Sequence, residues 1–211
     1  MAGVHYPGHT VMLAEFFESP KSAMLFDGPS LRVVLATVHI PLAHVPTRLS
    51  TPRIAECIDL ASQACREAGI AAPRVAAAGL NPHAGEHGLF GDEDARLIAP
   101  AVAAARAAGI DAHGPIPGDV VFLHAVKGRY HAVVAMYHDQ GLIPVKLLDR
   151  ERTVNVTAGL AWRGRGVVRT SPAHGTAFDI AGTGTADPAS MHRAAELALT
   201  LMARAGAAPH T

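Results

Sequence analysis

The sequence predicts an α/β fold, a mainly parallel sheet with flanking helices, on three observations. Short Val- and Ala-rich runs alternate with stretches of helical periodicity, the order expected of strand–helix–strand units with right-handed crossovers. The strand-like runs are apolar throughout instead of at every second position, as strands covered on both faces are. Three of them, residues 33–38, 75–80 and 133–137, lead directly into loops carrying His39, His83 and His138. In open α/β sheets ligands gather beyond the carboxyl ends of strands, so imidazoles placed there from separate strands can converge on one ion.

The helices follow in order. Ile54, Ile58, Ala61 and Cys65 build one apolar face that ends at Gly69, a C′ position where a left-handed backbone is cheap. A strand at Val75 follows at once. A second helix is expected from near Asp92, whose carboxylate can accept first-turn amide hydrogens, with Ala95, Ile98, Val102 and Ala105 buried and Gly109 as its stop. A third runs from Asp119 and a fourth from Asp187-Pro188 to about Ala205. Residues 162–166, Trp-Arg-Gly-Arg-Gly, read as a flexible basic loop.

Composition removes several classes of function. Lys plus Arg and Asp plus Glu both number 18, so no net charge argues for a nucleic acid or an anionic membrane as partner. No apolar run approaches the roughly 18 residues that span a bilayer, and the first ten residues lack a signal-type core, which gives a cytoplasmic expectation. Cys57 and Cys65 have no CxxC partner and read as small core residues of one helix.

Three groups of residues carry the chemistry. His39, His83 and His138 form the expected metal set, with Asp139 available as a ligand or as the partner that fixes an imidazole, and Asp119 nearby with a structural use as a helix cap. Such a site polarises a hydroxyl or carbonyl and suits dehydrogenation or hydrolysis. Lys146, Arg169 and the Gly8-His9-Thr10 turn supply charge and donors for a phosphate or carboxylate. The glycine-bearing stretch 174–188 permits close backbone approach, and Asp179 suits a ribose diol while repelling a 2′-phosphate, favouring NAD over NADP. No GxGxxG follows a strand here.

The strings YPGHT (6–10), GLNPHAGE (79–86), AMYHDQGLIPVK (135–146), VNVTAGL (154–160) and RTSPAHGTAFDIAG (169–182) resemble the 4-hydroxythreonine-4-phosphate dehydrogenase (PdxA) family of vitamin B6 biosynthesis, in the family's order. The resemblance covers nearly the whole chain and implies an isocitrate/isopropylmalate dehydrogenase-like fold, a homodimer and NAD-dependent oxidation with decarboxylation of 4-phosphooxy-L-threonine. It implies a divalent metal (zinc, cobalt, manganese or magnesium) on His39, His83 and His138 at a dimer interface, with Asp119 and Asp139 as neighbours. Substrate contacts are implied for His9, Thr10, Lys146, Asn155 and Arg169, with Lys146 also serving in proton transfer or anion clamping. His174, Gly175, Thr176, Ala177, Asp179 and Asp187 are implied for the cofactor.

Departures from the family pattern set further expectations. The family carries a preceding segment with a GDPxGIGPE-like stretch that this sequence lacks, so residues 1–178 are expected to form the metal- and substrate-binding domain, and 179–211 to belong to a largely absent cofactor-side domain. Met191, Leu197, Leu199 and Met202 would then show an apolar face or bury it against another chain. Val11 and Ala173 stand where the family has acidic residues. Residues 161–168 exceed the family's short connection, so Arg169 reaches a phosphate beside Asn155 only if this insertion loops out. Alternative readings are a dehydrogenase of phosphorylated threonate or erythronate or of a dihydrodiol carboxylate, a metal-dependent hydrolase, and a non-catalytic metal-binding remnant.

Overall fold

A computed structural model describes residues 5, 6 and 8–207, the side chains of 205–207 excepted. In chain order the elements are α1 (His9–Phe16), β1 (Ala23–Asp27), β2 (Arg32–Leu35), α2 (Val45–Arg48), α3 (Thr51–Glu67), β3 (Arg74–Ala78), α4 (Ala99–Ala107), β4 (Asp111–Ile116) and α5 (Gly118–Val126). There follow β5 (Ala132–Ala135), α6 (His138–Asp149), β6 (Val154–Ala158), β7 (Ala161–Trp162), β8 (Arg165–Gly166), β9 (Thr170–Pro172) and α7 (Ala189–Ala207).

Seven strands form one mixed sheet in the order β4-β3-β5-β2-β1-β6-β9. The pairings from β4 through β2 are parallel, whereas β1 runs against both β2 and β6, and β9 against β6. Five strands therefore share a direction and two oppose it. Side chains of the central strands divide between two cores. Val34, Val75, Ala77 and Val134 meet Ile54, Ile58, Ala61 and Val102 on one face. Val33, Leu35, Ala76, Val133 and Ala135 meet Val121, Leu142 and Val145 on the other. Both faces being covered is the physical reason that no period-two alternation shows in the sequence.

The expected helix on Ile54 forms, with the Ser50 hydroxyl accepting from the Arg53 amide at 3.3 Å and Gly69 at φ +93°. Cys57 and Cys65 are free and buried in it, and burial pushes their thiols up to about 12 and about 11.

Around Asp92 the expectation needs correction. Asp92 accepts from Arg96 Nε at 3.3 Å instead of capping, and a π-helical turn over Asp94–Ile98 precedes α4. The wider turn shifts the helical phase, so Ala95 is exposed and Leu97 and Asp94 are buried with Ile98, Val102 and Ala105. Asp119 lies in the first turn of α5 and is not its cap, since Pro117 holds that position. Asp187 Oδ1 accepts from the Ala189 amide at 2.8 Å at the start of the fourth expected helix, α7.

Residues 162–166 are not a featureless loop: β7 and β8 pair as a small hairpin, with the Arg163 guanidinium 4.8 Å above the Trp162 ring. Ser19 pins the hairpin, its hydroxyl lying 2.9 Å from both the carbonyl and the amide of Ala161. Helix α7 packs on β9, β6 and α3, burying Ala194 and Leu197 while Met191, Leu199 and Met202 remain exposed. Among the described residues no helix is long and apolar enough to cross a membrane.

Candidate functional site

The three histidine loops leave adjacent parallel strands, β3, β5 and β2 in that order across the sheet, so His138 stands between His83 and His39. His39 and His138 are neighbours, with ring centroids 5.6 Å apart and planes at 47°. Asp139 Oδ1 lies 2.7 Å from His138 Nδ1; with the proton on Nδ1 this contact fixes the tautomer and leaves Nε2 free as a donor to a metal.

His83 does not join that pair within the chain. It opens a left-handed stretch in which His83, Ala84, Gly85, Glu86 and His87 all have positive φ, and its ring lies 6.0 Å from that of Phe90. Left-handed backbone costs about 1–2 kcal/mol for each non-glycine residue, and such strain concentrates at functional loops. His83 lines a cavity with Asp119, Asp139 and Gln140, walled by Phe122, Ile143 and Leu147. Among the described residues no three His, Cys, Asp or Glu side chains of one chain lie close enough to hold a metal ion. The intrachain convergence expected of the three histidines is therefore not observed. The imidazole nitrogens of His39 and His138, with the Asp139 carboxylate behind His138, still suit a divalent ion.

A second cavity of about 280 Å³ brings the other expected residues together. His9, Thr10, Lys146, Asn155 and Arg169 line it with His39, His138, His174 and Gly175. Local structure explains each position. Gly8 is the N-cap of α1, which puts His9 and Thr10 in its first turn, and Thr10 Oγ1 lies 3.5 Å from Thr157 Oγ1 on β6. Lys146 extends from α6, two turns beyond His138. Asn155 pairs with Ser171 across β6 and β9, and the Thr157 amide donates to the Arg169 carbonyl at 3.1 Å.

Residues 159–168 are thus looped out as the hairpin, and Arg169 faces the same cavity as Asn155, donating from Nη1 to Thr157 Oγ1 at 3.4 Å. Partial burial lowers the pKa of Arg169 from its ordinary value. Asn155 Oδ1 is buried with no hydrogen-bond partner, an acceptor awaiting a donor. Val11 and Ala173 also line this cavity, whose lining contains no Asp or Glu.

The expected cofactor segment is less enclosed. His174 and Gly175 reach the cavity, whereas Thr176, Ala177, Asp179 and Asp187 lie on an exposed stretch, Ala177 in left-handed backbone at φ +48°. The Asp187 carboxylate is engaged by the start of α7.

Sequence reasoning overlooked the residues that tie the histidine loops together. Thr37 Oγ1 donates to the Met136 carbonyl at 2.7 Å, and Gln140 bridges Met136 and Gly79 with two further bonds of 2.7 Å. Buried Asp94 accepts from the amides of Leu80 at 2.8 Å and Asn81 at 3.0 Å. One signal was available: Gln140 is the third residue of α6, where a Gln side chain reaches back to an orphan amide in a capping box.

Comparison with known proteins identifies the family. The family model described as pyridoxal phosphate biosynthetic protein PdxA matches residues 1–198. The chain is 54% identical to the 4-hydroxythreonine-4-phosphate dehydrogenase of Beijerinckia indica over 95% of its own length and 58% of that protein's. It is 49% identical to the D-threonate 4-phosphate dehydrogenase of Salmonella typhimurium, covering 95% of this chain and 60% of the relative. The crystal structure of the 4-hydroxythreonine-4-phosphate dehydrogenase of Klebsiella pneumoniae superposes with a TM-score of 0.83 at 50% identity, over 95% of this chain and 59% of that one. Isocitrate dehydrogenase from Methylococcus capsulatus, 17% identical with a TM-score of 0.58, shares the fold. The chain spans about 58–60% of the length of these curated relatives, and over that span it belongs to the PdxA family.

Proposed function

We propose that the chain carries the metal- and substrate-binding part of an NAD-dependent dehydrogenase that oxidises 4-hydroxy-L-threonine 4-phosphate, the 4-phosphooxy-L-threonine of vitamin B6 biosynthesis. The observation that carries the reading is the single cavity that gathers His9, Thr10, Lys146, Asn155 and Arg169 beside His39 and His138. Relatives bearing that activity in their names support it.

A divalent ion, when bound, supplies Lewis acidity to the substrate alcohol and NAD supplies the hydride acceptor. The chain's residues do the rest. Arg169 offers a planar fork and Lys146 a point charge to the phosphate and carboxylate. Thr10 and Asn155 complete the polar lining. In place of that clamping role, Lys146 as the uncharged amine would take the proton that leaves the hydroxyl as the hydride leaves its carbon. The resulting 3-keto acid loses carbon dioxide, and the cationic lining favours the enolate that forms.

In this reading His39, His83 and His138 are shared between two copies of the chain. Exposed Ile143 and Leu147 on α6 wall the cavity of His83, which makes this an apolar surface continuous with a ligand and suited to a second copy. Residues 1–178 form the metal and substrate domain of this proposal and 179–211 one wall of the cofactor side, in a cytoplasmic enzyme. A substrate variant has its own support. The cavity lining holds Lys146 and Arg169 and no carboxylate to meet an ammonium group, so it suits D-threonate 4-phosphate, whose C2 bears a hydroxyl in place of the amine.

The test follows reduced nicotinamide by absorbance with NAD, a series of divalent ions and each of the two phosphorylated acids, alongside sedimentation of the unaltered protein and Leu147→Glu. Metal-dependent reduction by a dimer, lost in the variant, is expected. Metal retained with no reduction on either substrate would favour a non-catalytic remnant.

A further inference from the structure

We propose that Gln140 is a positioning residue that sets the spacing between the loops of His83 and His138, acting with Thr37, which does the same between His138 and His39. The inference rests on the metal-centre reading above and names what holds that centre's ligands in register.

His39 and His83 sit on irregular backbone beyond strand ends, which has no ladder to fix it, and His138 opens α6 directly after the turn that leaves β5. Here side chains replace the ladder. Thr37 Oγ1, two residues before His39, donates to the Met136 carbonyl at 2.7 Å. The Met136 amide, two residues before His138, donates to Gln140 Oε1 at 2.7 Å, and Gln140 Nε2 donates to the Gly79 carbonyl at 2.7 Å, at the root of the His83 loop. Asp94 secures the same root through the Leu80 and Asn81 amides. An unbroken run of short bonds thus links the β2, β5 and β3 loops.

Only a carboxamide performs the central task, because one atom must accept while the other donates. Glutamate has no donor for the Gly79 carbonyl at neutral pH, and methionine of similar length has neither group. Gly118 leaves room for the amide: a Cβ there would stand 3.2 Å from Gln140 Nε2. Gln140 shares the cavity of His83 and Asp119, so its amide also rigidifies the wall that faces a second copy. Groups that orient metal ligands from behind typically change metal affinity by about 10–100-fold when removed.

The test titrates cobalt(II) into the purified 211-residue chain, Gln140→Met and Thr37→Val, reading the visible absorption band and the dissociation constant by competition with a chromogenic chelator, with circular dichroism confirming the fold. The expected result is a cobalt band in the unaltered chain, and in both variants a binding constant weakened by about 10–100-fold with an altered band. Equal affinity and an unchanged band in folded Gln140→Met overturn the positioning role while the metal centre stands. If Gln140→Met fails to fold, Thr37→Val decides by the same readings, because it keeps side-chain volume and removes one bond. Absence of cobalt binding by the unaltered chain overturns the metal centre, and the positioning role with it.

Discussion

The two halves of the sheet differ in how completely the chain itself encloses them. From β4 to β2 the strands pair in parallel, and apart from the half-buried edge strand β4 they are sandwiched between α3 and α4 on one face and α5 and α6 on the other, so that Val33, Val34, Leu35, Val133 and Val134 have no exposed surface. From β1 to β9 the strands alternate in direction; β1 is buried throughout but β9 only half-buried, residues 174–179 and 181–189 lie exposed, and α7 presents Met191, Leu199 and Met202 to solvent. The first half fixes its strand-end loops from within. In the second, the segment expected to hold the cofactor lies open on the surface.

The largest expected effect tests that difference directly. Leu35 is fully buried between β2 and α6, and Leu35→Ala should lower unfolding stability by about 2–5 kcal/mol through lost transfer energy and a residual cavity. Leu199→Ala, on the exposed face of α7, should stay within about 0.5 kcal/mol. Urea denaturation measures both. A comparable loss for the two would mean that α7 is as enclosed as the parallel half.

Asp94→Ala should follow in size. It strips the acceptor from the Leu80 and Asn81 amides in a buried setting, which costs about 2–3 kcal/mol. Because this carboxylate secures the root of the His83 loop, amide hydrogen exchange should accelerate at residues 80–90 and leave β6 unchanged. Uniform acceleration over the whole sheet would show that Asp94 supports the fold and not the loop.

Arg169→Met moves to the less enclosed half. Its guanidinium lines the cavity with Lys146 and Asn155 and touches one neighbour at 3.4 Å, so thermal stability should barely change. Loss of a charge-assisted contact worth about 1.5–3 kcal/mol should weaken a phosphorylated hydroxy acid by about 10–100-fold in calorimetric titration. Unchanged affinity would remove Arg169 from the site and leave its place beside Thr157 as a product of strand pairing alone.

Legibility in the sequence follows the same division. The parallel half was readable because covered strands and one-sided helices write their burial into composition: Ile54, Ile58, Ala61 and Cys65 announce α3, and the apolar runs before His39, His83 and His138 announce strand ends. The π turn at Asp94–Ile98 was not readable, since its register depends on Asp94 reaching across to the Leu80 and Asn81 amides, a tertiary event with no local period. The left-handed stretch from His83 to His87 was equally silent, because Ala84, Glu86 and His87 have no preference for such backbone. The Arg169 position was legible only as a condition. Residues 161–168 had to loop out, and the β6–β9 pairing with Ser19 pinning the hairpin is how they do so. Which histidines meet could not be read from order along the chain, since that depends on loop paths beyond the strands.

The smallest expected effect lies at the amino end of the parallel half, away from the site. His131 precedes β5, and its Nδ1 accepts from the Arg74 amide at the start of β3 at 2.9 Å. Burial first, then the charges of Arg74 and Arg32, lower its pKa below the ordinary histidine value, with Asp111 opposing them. The folded protein therefore holds this imidazole neutral, and the unfolded chain binds the proton more readily. The stabilisation is complete above the ordinary histidine pKa of about 6.5 and is lost as pH falls from there through the lower folded-state value. His131→Gln keeps an acceptor that does not titrate, so its melting temperature should fall less than that of the unaltered protein between neutral pH and the range where carboxylates begin to protonate. Parallel melting curves for the two proteins across that interval would place the acid sensitivity elsewhere.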